Sequence, residues 1–256
     1  MNFINKNKNI LIVGNILGFI LTVVMNFLAV GLPLNGKTTQ ELSDQYPNLF
    51  VPAGYVFAIW SVIYTLLLIF TIYQTLPRNR ESPIFEEIAW WFIISSLANS
   101  IWIVFWHYEQ LLLSLLIMFT LLISLIIIYT RLDIGRKSIS RDVKLAVHVP
   151  FSVYLGWITV ATVANVTAFL VSVNWDGFGI NEGIWTAIVL LVATIIAVII
   201  LIQRKDVAYG LVPVWAFFGI VMKQLESRQD VSLVAAVCAI LIAVTIVGTV
   251  LRDRMR

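Results

Sequence analysis

Residues 110–131 read Gln110-Leu-Leu-Leu-Ser-Leu-Leu-Ile-Met-Phe-Thr-Leu-Leu-Ile-Ser-Leu-Ile-Ile-Ile-Tyr-Thr-Arg131, and the first charge in that run is its last residue. A bilayer's hydrocarbon core is about 30 Å thick, which takes roughly 20 apolar residues of helix to cross. Lipid offers no partner to backbone amides, so such a run must close its own hydrogen bonds as a helix. A second apolar run, 88–107, lies just upstream, and only His107-Tyr108-Glu109-Gln110 joins the two. The pair is therefore expected to be an antiparallel hairpin.

Outward from this hairpin the pattern repeats. Apolar runs cover about 9–32, 52–75, 145–173, 183–203, 207–222 and 231–251. The expected fold is an all-α membrane protein with about eight transmembrane helices. The fifth run is long enough to tilt or to begin in the headgroup layer. The seventh is short and holds Gly210 and Pro213; it reads as a kinked spanning helix or as a re-entrant segment. Lys6 and Lys8 precede the first run as they would in a signal peptide. That run is longer than a usual signal core of about 7–15 residues, so a retained helix is expected.

Composition agrees. The chain of 256 residues is 60% hydrophobic and 12% charged, where a soluble domain carries about 25% charged residues. The single cysteine, Cys238, allows neither an internal disulfide nor a cysteine-based metal site. The cations sit in short segments between apolar runs rather than on one face, which argues against a nucleic-acid partner. Eight helices place 14 of the 17 Lys and Arg residues on one side and leave Lys37, Lys223 and Arg228 on the other. The positive-inside rule then puts both termini in the cytoplasm. Without the seventh helix the division becomes 13 against 4, so charge favours eight helices only mildly.

Chemistry is sparse inside the spans. No Asp, Glu, Lys or Arg lies within the apolar cores, and His148 stands near the start of the fifth run. His148 reads as an interfacial residue bonded to a backbone carbonyl, or as a haem ligand or proton acceptor. Near-absence of ionisable groups argues against an ion-coupled carrier with a carboxylate site. Phosphate loops, zinc-protease signatures and nucleophile elbows are missing, so no catalytic residue is assigned. The loop from Pro33 to Val51 is the longest outer connection. Connections of that length are often lids or binding loops; a solvated linker is the alternative.

What the spans do hold is aromatic and amide. Phe57, Trp60 and Tyr64 recur at i, i+3 and i+7, one helical face. Asn99, Trp102 and Trp106 make a second stripe, and Trp157, Ala161 and Asn165 a third. An amide in lipid costs several kcal/mol unless bonded, so Asn99 and Asn165 should face inward and carry Trp102 and Trp157 with them. Trp90, Trp91, Trp175 and Trp185 lie near span ends, where headgroup-belt tryptophans belong. The interior stripes suit either a concave site for a flat apolar ligand or plain helix packing.

At these residues the chain resembles the tryptophan-rich sensory protein family, also called the translocator protein or peripheral benzodiazepine receptor family. Pro52-Ala-Gly-Tyr55-Val-Phe57-Ala-Ile-Trp60-Ser-Val-Ile-Tyr64 is similar to the motif entering that family's second helix. Ala98-Asn99-Ser-Ile-Trp102 with Phe105-Trp106 resembles the third-helix motif, and Tyr154-Leu-Gly-Trp157-Ile-Thr-Val-Ala161-Thr-Val-Ala-Asn165 the fifth. Ala53 and Tyr55 depart from the first motif, and Pro150 stands four residues before Tyr154 where the family places its proline closer. The resemblance divides the chain into a five-helix ligand-binding bundle, 1–173, and a three-helix extension, 174–256. It implies a pocket lined or supported by Phe57, Trp60, Tyr64, Asn99, Trp102, Trp106, Trp157, Ala161 and Asn165. It implies a hydrophobic ligand such as a porphyrin, no required cofactor, the lipid bilayer as surroundings, and a homodimer as an assembly to look for. Sensor or carrier is the leading reading. An eight-helix secondary transporter and a light-dependent porphyrin-degrading enzyme remain as alternatives. Leu125, Tyr129 and Arg131 also fit a proposed cholesterol pattern.

Overall fold

The structure, a computed structural model, describes residues 3–80 and 82–254. Arg256 and the side chains of Lys6, Lys8 and Arg254, all counted in the charge asymmetry, lie outside the described residues. Among the described residues every regular element is helical. The expected spans are α1 (Phe3–Gly31), α3 (Ile59–Thr75), α5 (Trp91–His107), α6 (Leu111–Arg131), α8 (Val149–Ser172), α9 (Glu182–Arg204), α10 (Val207–Gln224) and α11 (Gln229–Arg254). Shorter pieces stand between them: α2 (Thr39–Gln45), α4 (Ile84–Ile88), α7 (Arg141–Val143) and three 3₁₀ turns, Leu34–Gly36, Gly54–Ala58 and Gly177–Gly179. Among the described residues seven segments are long and apolar enough to cross a membrane, and α5 is a further, shorter apolar helix. The protein is an all-α, multi-pass integral membrane protein.

Three boundaries differ from the sequence reading. The second span begins as the 3₁₀ turn Gly54–Ala58 and becomes α-helical only at Ile59. The third is broken at Ala89, whose φ of 44° ends α4 before α5 starts. Seventeen residues of α5 then rise only about 26 Å. The fifth span opens with a π-type turn, Lys144–His148. Pro150, two residues on, has no N–H to give, which removes one ordinary helical bond there. The seventh span is a helix in its own right. Asp206 caps it by accepting from the Tyr209 amide at 3.1 Å, and Lys205 at φ 53° ends α9 just before it.

Residue contacts divide the chain into two compact units. The first comprises Met1–Thr39 and Trp60–Leu155; the second comprises Gln40–Ile59 and Gly156–Arg256. In the first unit α1 packs on α5 and α5 on α6. Gly14 and Gly18 let α1 approach closely: a Cβ on Gly18 would meet Ser96 Cβ and Oγ at 3.0 Å, small-residue packing that suits membrane helices. Phe70, Phe92 and Phe151 form an edge-to-face core with centroids 5.0–5.8 Å apart.

In the second unit α9, α10 and α11 pack together, and the Gly54–Ala58 turn lies on α10. The Ala53 amide donates to the Gly219 carbonyl at 3.1 Å. Trp215 Nε1 donates to the Val56 carbonyl at 3.1 Å, and its ring meets Tyr55 edge-on. Pro213 cannot bond the Tyr209 carbonyl four residues back. Gly156 sits against that freed oxygen, since a Cβ there would lie 3.2 Å from it.

Candidate functional site

In the first unit Trp60 is the hub of an aromatic wall. Its ring stacks on Tyr64 at 5.6 Å with 18° between planes. It tilts against Trp102 at 6.4 Å and meets Tyr154 edge-on at 6.3 Å. Trp102 in turn stacks on Trp106 at 6.0 Å. Trp102, Trp106 and Tyr154 are buried, while Trp60 and Tyr64 are half-buried. The wall therefore presents two partly accessible aromatic rings backed by three inaccessible ones.

Asn99 supplies the polar element beside that wall. It is fully buried, as the amide cost required, and its Oδ1 accepts from Asn26 Nδ2 at 2.7 Å. The same Asn26 nitrogen also donates to the Thr22 carbonyl at 2.8 Å. Asn99 Nδ2 and the hydroxyls of Tyr64 and Tyr154 are buried without a protein hydrogen-bond partner. Tyr154 stands close to Asn99, but the two do not reach hydrogen-bonding geometry. Each orphaned group costs about 1–3 kcal/mol and calls for an explanation in a native fold.

The first loop holds the end of α5. Asn35, at φ 55° where Asn is tolerated, donates through Nδ2 to the His107 carbonyl at 3.0 Å. Trp106 Nε1 donates to the Thr39 carbonyl at 3.4 Å, and Lys37 pairs with Glu109 at 3.0 Å. His107 is fully buried. Its Nδ1 lies 2.8 Å from the Ile103 carbonyl, which can only accept, so Nδ1 carries a proton. In the neutral ring Nε2 then accepts from Thr39 Oγ1, 3.5 Å away. The sequence reading placed His107 in a turn and singled out His148; both are buried, and only His107 is seen tied into the loop.

The second unit brings together the remaining residues on its own terms. Phe57 meets Trp157 edge-on at 6.0 Å. Trp157 and Asn165 are buried on α8, and Ala161 between them is half-buried. The end-of-span tryptophans behave separately: Trp90 is exposed, and Trp175 and Trp185 touch at 5.3 Å. Leu125 and Tyr129 of the sterol-like pattern are buried side chains, the reverse of a lipid-facing motif.

These aromatic and amide positions are ones that the motif resemblance named. A family model described as TSPO-like protein matches residues 10–248. The chain belongs to the TSPO-like protein family. The match runs through α9 and α10 and most of α11, so it includes the segment beyond residue 173. No curated protein matches the chain, and no solved structure does. TSPO-like membership makes the protein a membrane binding or sensor protein.

Several buried residues of the two units carry no mark in the sequence motifs. Asn15, Thr22, Asn26 and Gln74 are buried polar residues of the first unit. The cost that turned Asn99 and Asn165 inward applies equally to them, and Asn15, Thr22 and Asn26, seven and four residues apart, share one helical face. Tyr154 opens the fifth-helix motif, but its place against Trp60, far earlier in the chain, has no local signal. Trp215 had no sequence signal, because its partner, the Val56 carbonyl, is 159 residues away.

Proposed function

We propose that the first unit binds a flat, largely apolar ligand such as a porphyrin, and that the protein acts as a sensor or carrier of it. The observation that carries this reading is the conjunction at Trp60. Half-buried rings of Trp60 and Tyr64 offer a face for stacking, beside three buried polar atoms with no protein partner: Asn99 Nδ2, Tyr64 Oη and Tyr154 Oη. Those atoms would meet an acceptor or hydroxyl at the ligand's edge. Trp102 and Trp106 support the wall from behind. Phe57, Trp157, Ala161 and Asn165, which the family resemblance also named, belong to the second unit and form no part of this wall. The bound porphyrin would be cargo or signal rather than a resident cofactor.

Titration of detergent-purified protein with protoporphyrin, read by Trp emission, tests this. Saturable quenching is expected. Trp60→Leu and Tyr64→Leu should each weaken binding roughly two- to tenfold, the equivalent of one lost aromatic contact of about 0.5–1.5 kcal/mol. Quenching that does not saturate, or affinity unchanged in both variants, overturns the reading.

A further inference from the structure

A second set of buried polar atoms joins the helix that carries Asn26 to α3. Asn15 Nδ2 donates to Gln74 Oε1 at 3.0 Å. Both side chains are almost wholly buried, at 2% and 0% exposure. Two amides side by side can close a pair of hydrogen bonds, yet this pair closes one. Asn15 Oδ1 and Gln74 Nε2 are left buried with no protein partner. Exchanging O and N on both amides changes nothing in kind: one donor and one acceptor stay unmet. Seven residues on, Thr22 Oγ1 is likewise buried and unpartnered, about 10 Å further along α1.

The orphans are complementary. One accepts, one donates, and both belong to residues already held together by a hydrogen bond. Apolar cavities stay dry, whereas internal waters occupy sites that offer 2–4 polar partners. A neutral molecule that both donates and accepts would satisfy the pair; an ion would satisfy only one of the two atoms. Gly18, between Asn15 and Thr22 on the same face, rests closely on Ser96 of α5, where an added Cβ would lie 3.0 Å from Cβ and Oγ.

We propose that Asn15 and Gln74 form a second binding site, for an internal water, at a polar seam between α1 and α3. The bound water accepts from Gln74 Nε2 and donates to Asn15 Oδ1. The seam continues to Thr22, whose hydroxyl offers the next donor and acceptor. This site is independent of porphyrin binding: it stands if the aromatic wall binds nothing, and it falls without affecting that wall.

Water-edited solid-state NMR on the protein in bilayers tests it with H₂O itself as the probe. Carbonyl ¹³C labelling of Gly and Tyr with uniform ¹³C,¹⁵N labelling of Asn and Gln isolates the backbone nitrogens of Gly14-Asn15 and Tyr73-Gln74, each dipeptide occurring once in the chain, and carbon transfer within each residue carries the assignment to its side-chain amide without a variant. Magnetisation is expected to pass from water to the side-chain amides of Asn15 and Gln74, although both are buried. The double variant Asn15→Leu/Gln74→Leu should remain folded, because removing both partners together leaves no orphan. In that variant transfer to Thr22, labelled in turn, should fall by half or more. If the wild-type amides of Asn15 and Gln74 receive no transfer while exposed Gln110 does, the site is dry and the proposal is overturned.

Discussion

A buried hydroxyl without a partner is a liability to the fold alone and an asset only if something else meets it. Tyr154 and Tyr64 therefore separate stability from binding. Tyr154→Phe and Tyr64→Phe delete an orphan rather than a bond. Each should leave thermal stability in detergent unchanged or raised, while porphyrin affinity falls. A clear loss of stability in Tyr154→Phe would mean that the hydroxyl is already satisfied within the protein. Asn99 behaves oppositely, because its Oδ1 is engaged by Asn26. Asn99→Leu and Asn26→Leu should each cost about 1–3 kcal/mol, and the double variant less than their sum, since one bond is lost in both. Thermal unfolding of the four proteins, followed by size-exclusion, reads that coupling. Asn99 was legible from sequence because it shares a stripe with Trp102 and Trp106. Asn15 and Asn26 were not, because the motifs that drew notice to Asn99 lie on other helices, although Phe19 shares the face of both amides.

At the scale of elements, the eight apolar helices were legible because lipid demands length and apolarity, and both are written locally. Their breaks were less so. Ala89 at a positive φ carries no side-chain signal, since the favoured residues there are Gly and Asn. Pro150 enters the sequence reading only as a departure from the family motif, and the π-type turn lies just before it. Glycines divide by what they face, which only the structure supplies. Gly18 is pressed on Ser96, whereas Gly248 has nothing within 4 Å of a would-be Cβ. Gly18→Leu should force α1 off α5 and lower folded yield and melting temperature; Gly248→Leu should be neutral or stabilising, as Gly is a poor helix former by about 1 kcal/mol. Equal behaviour of the two variants would contradict the α1–α5 packing. Gly219 is a stricter case. A Cβ there would overlap Val56 Cγ2, and its carbonyl receives the Ala53 amide, so Gly219→Val should dislodge the Gly54–Ala58 turn that precedes α3.

For the molecule as a whole, the sequence shows apolar runs in order but not which runs keep company. Residues 40–59 group with 156–256, and no linker composition marks the changeover. Long-range pairs such as Lys223 with Asp44 at 2.7 Å hold that grouping, and nothing local encodes them. Sidedness is different, because it follows from charges that can be counted. The asymmetry of 14 against 3 predicts that the loop holding Arg136 and Lys137 faces the cytoplasm with both termini, and that Gln110 and Glu226 face outward. Ser138, Gln110 and Glu226 are all exposed, so single cysteines at these positions, in a Cys238→Ala background, can be probed with a membrane-impermeant maleimide. In intact cells Gln110→Cys and Glu226→Cys should label, and Ser138→Cys only after permeabilisation. Glu226 decides the seventh span. If α10 crosses, Glu226 shares a side with Gln110; if α10 re-enters, it shares a side with Ser138. The capped, uninterrupted helix from Val207 to Gln224 favours crossing, and labelling of Glu226→Cys only with Ser138→Cys would refute it.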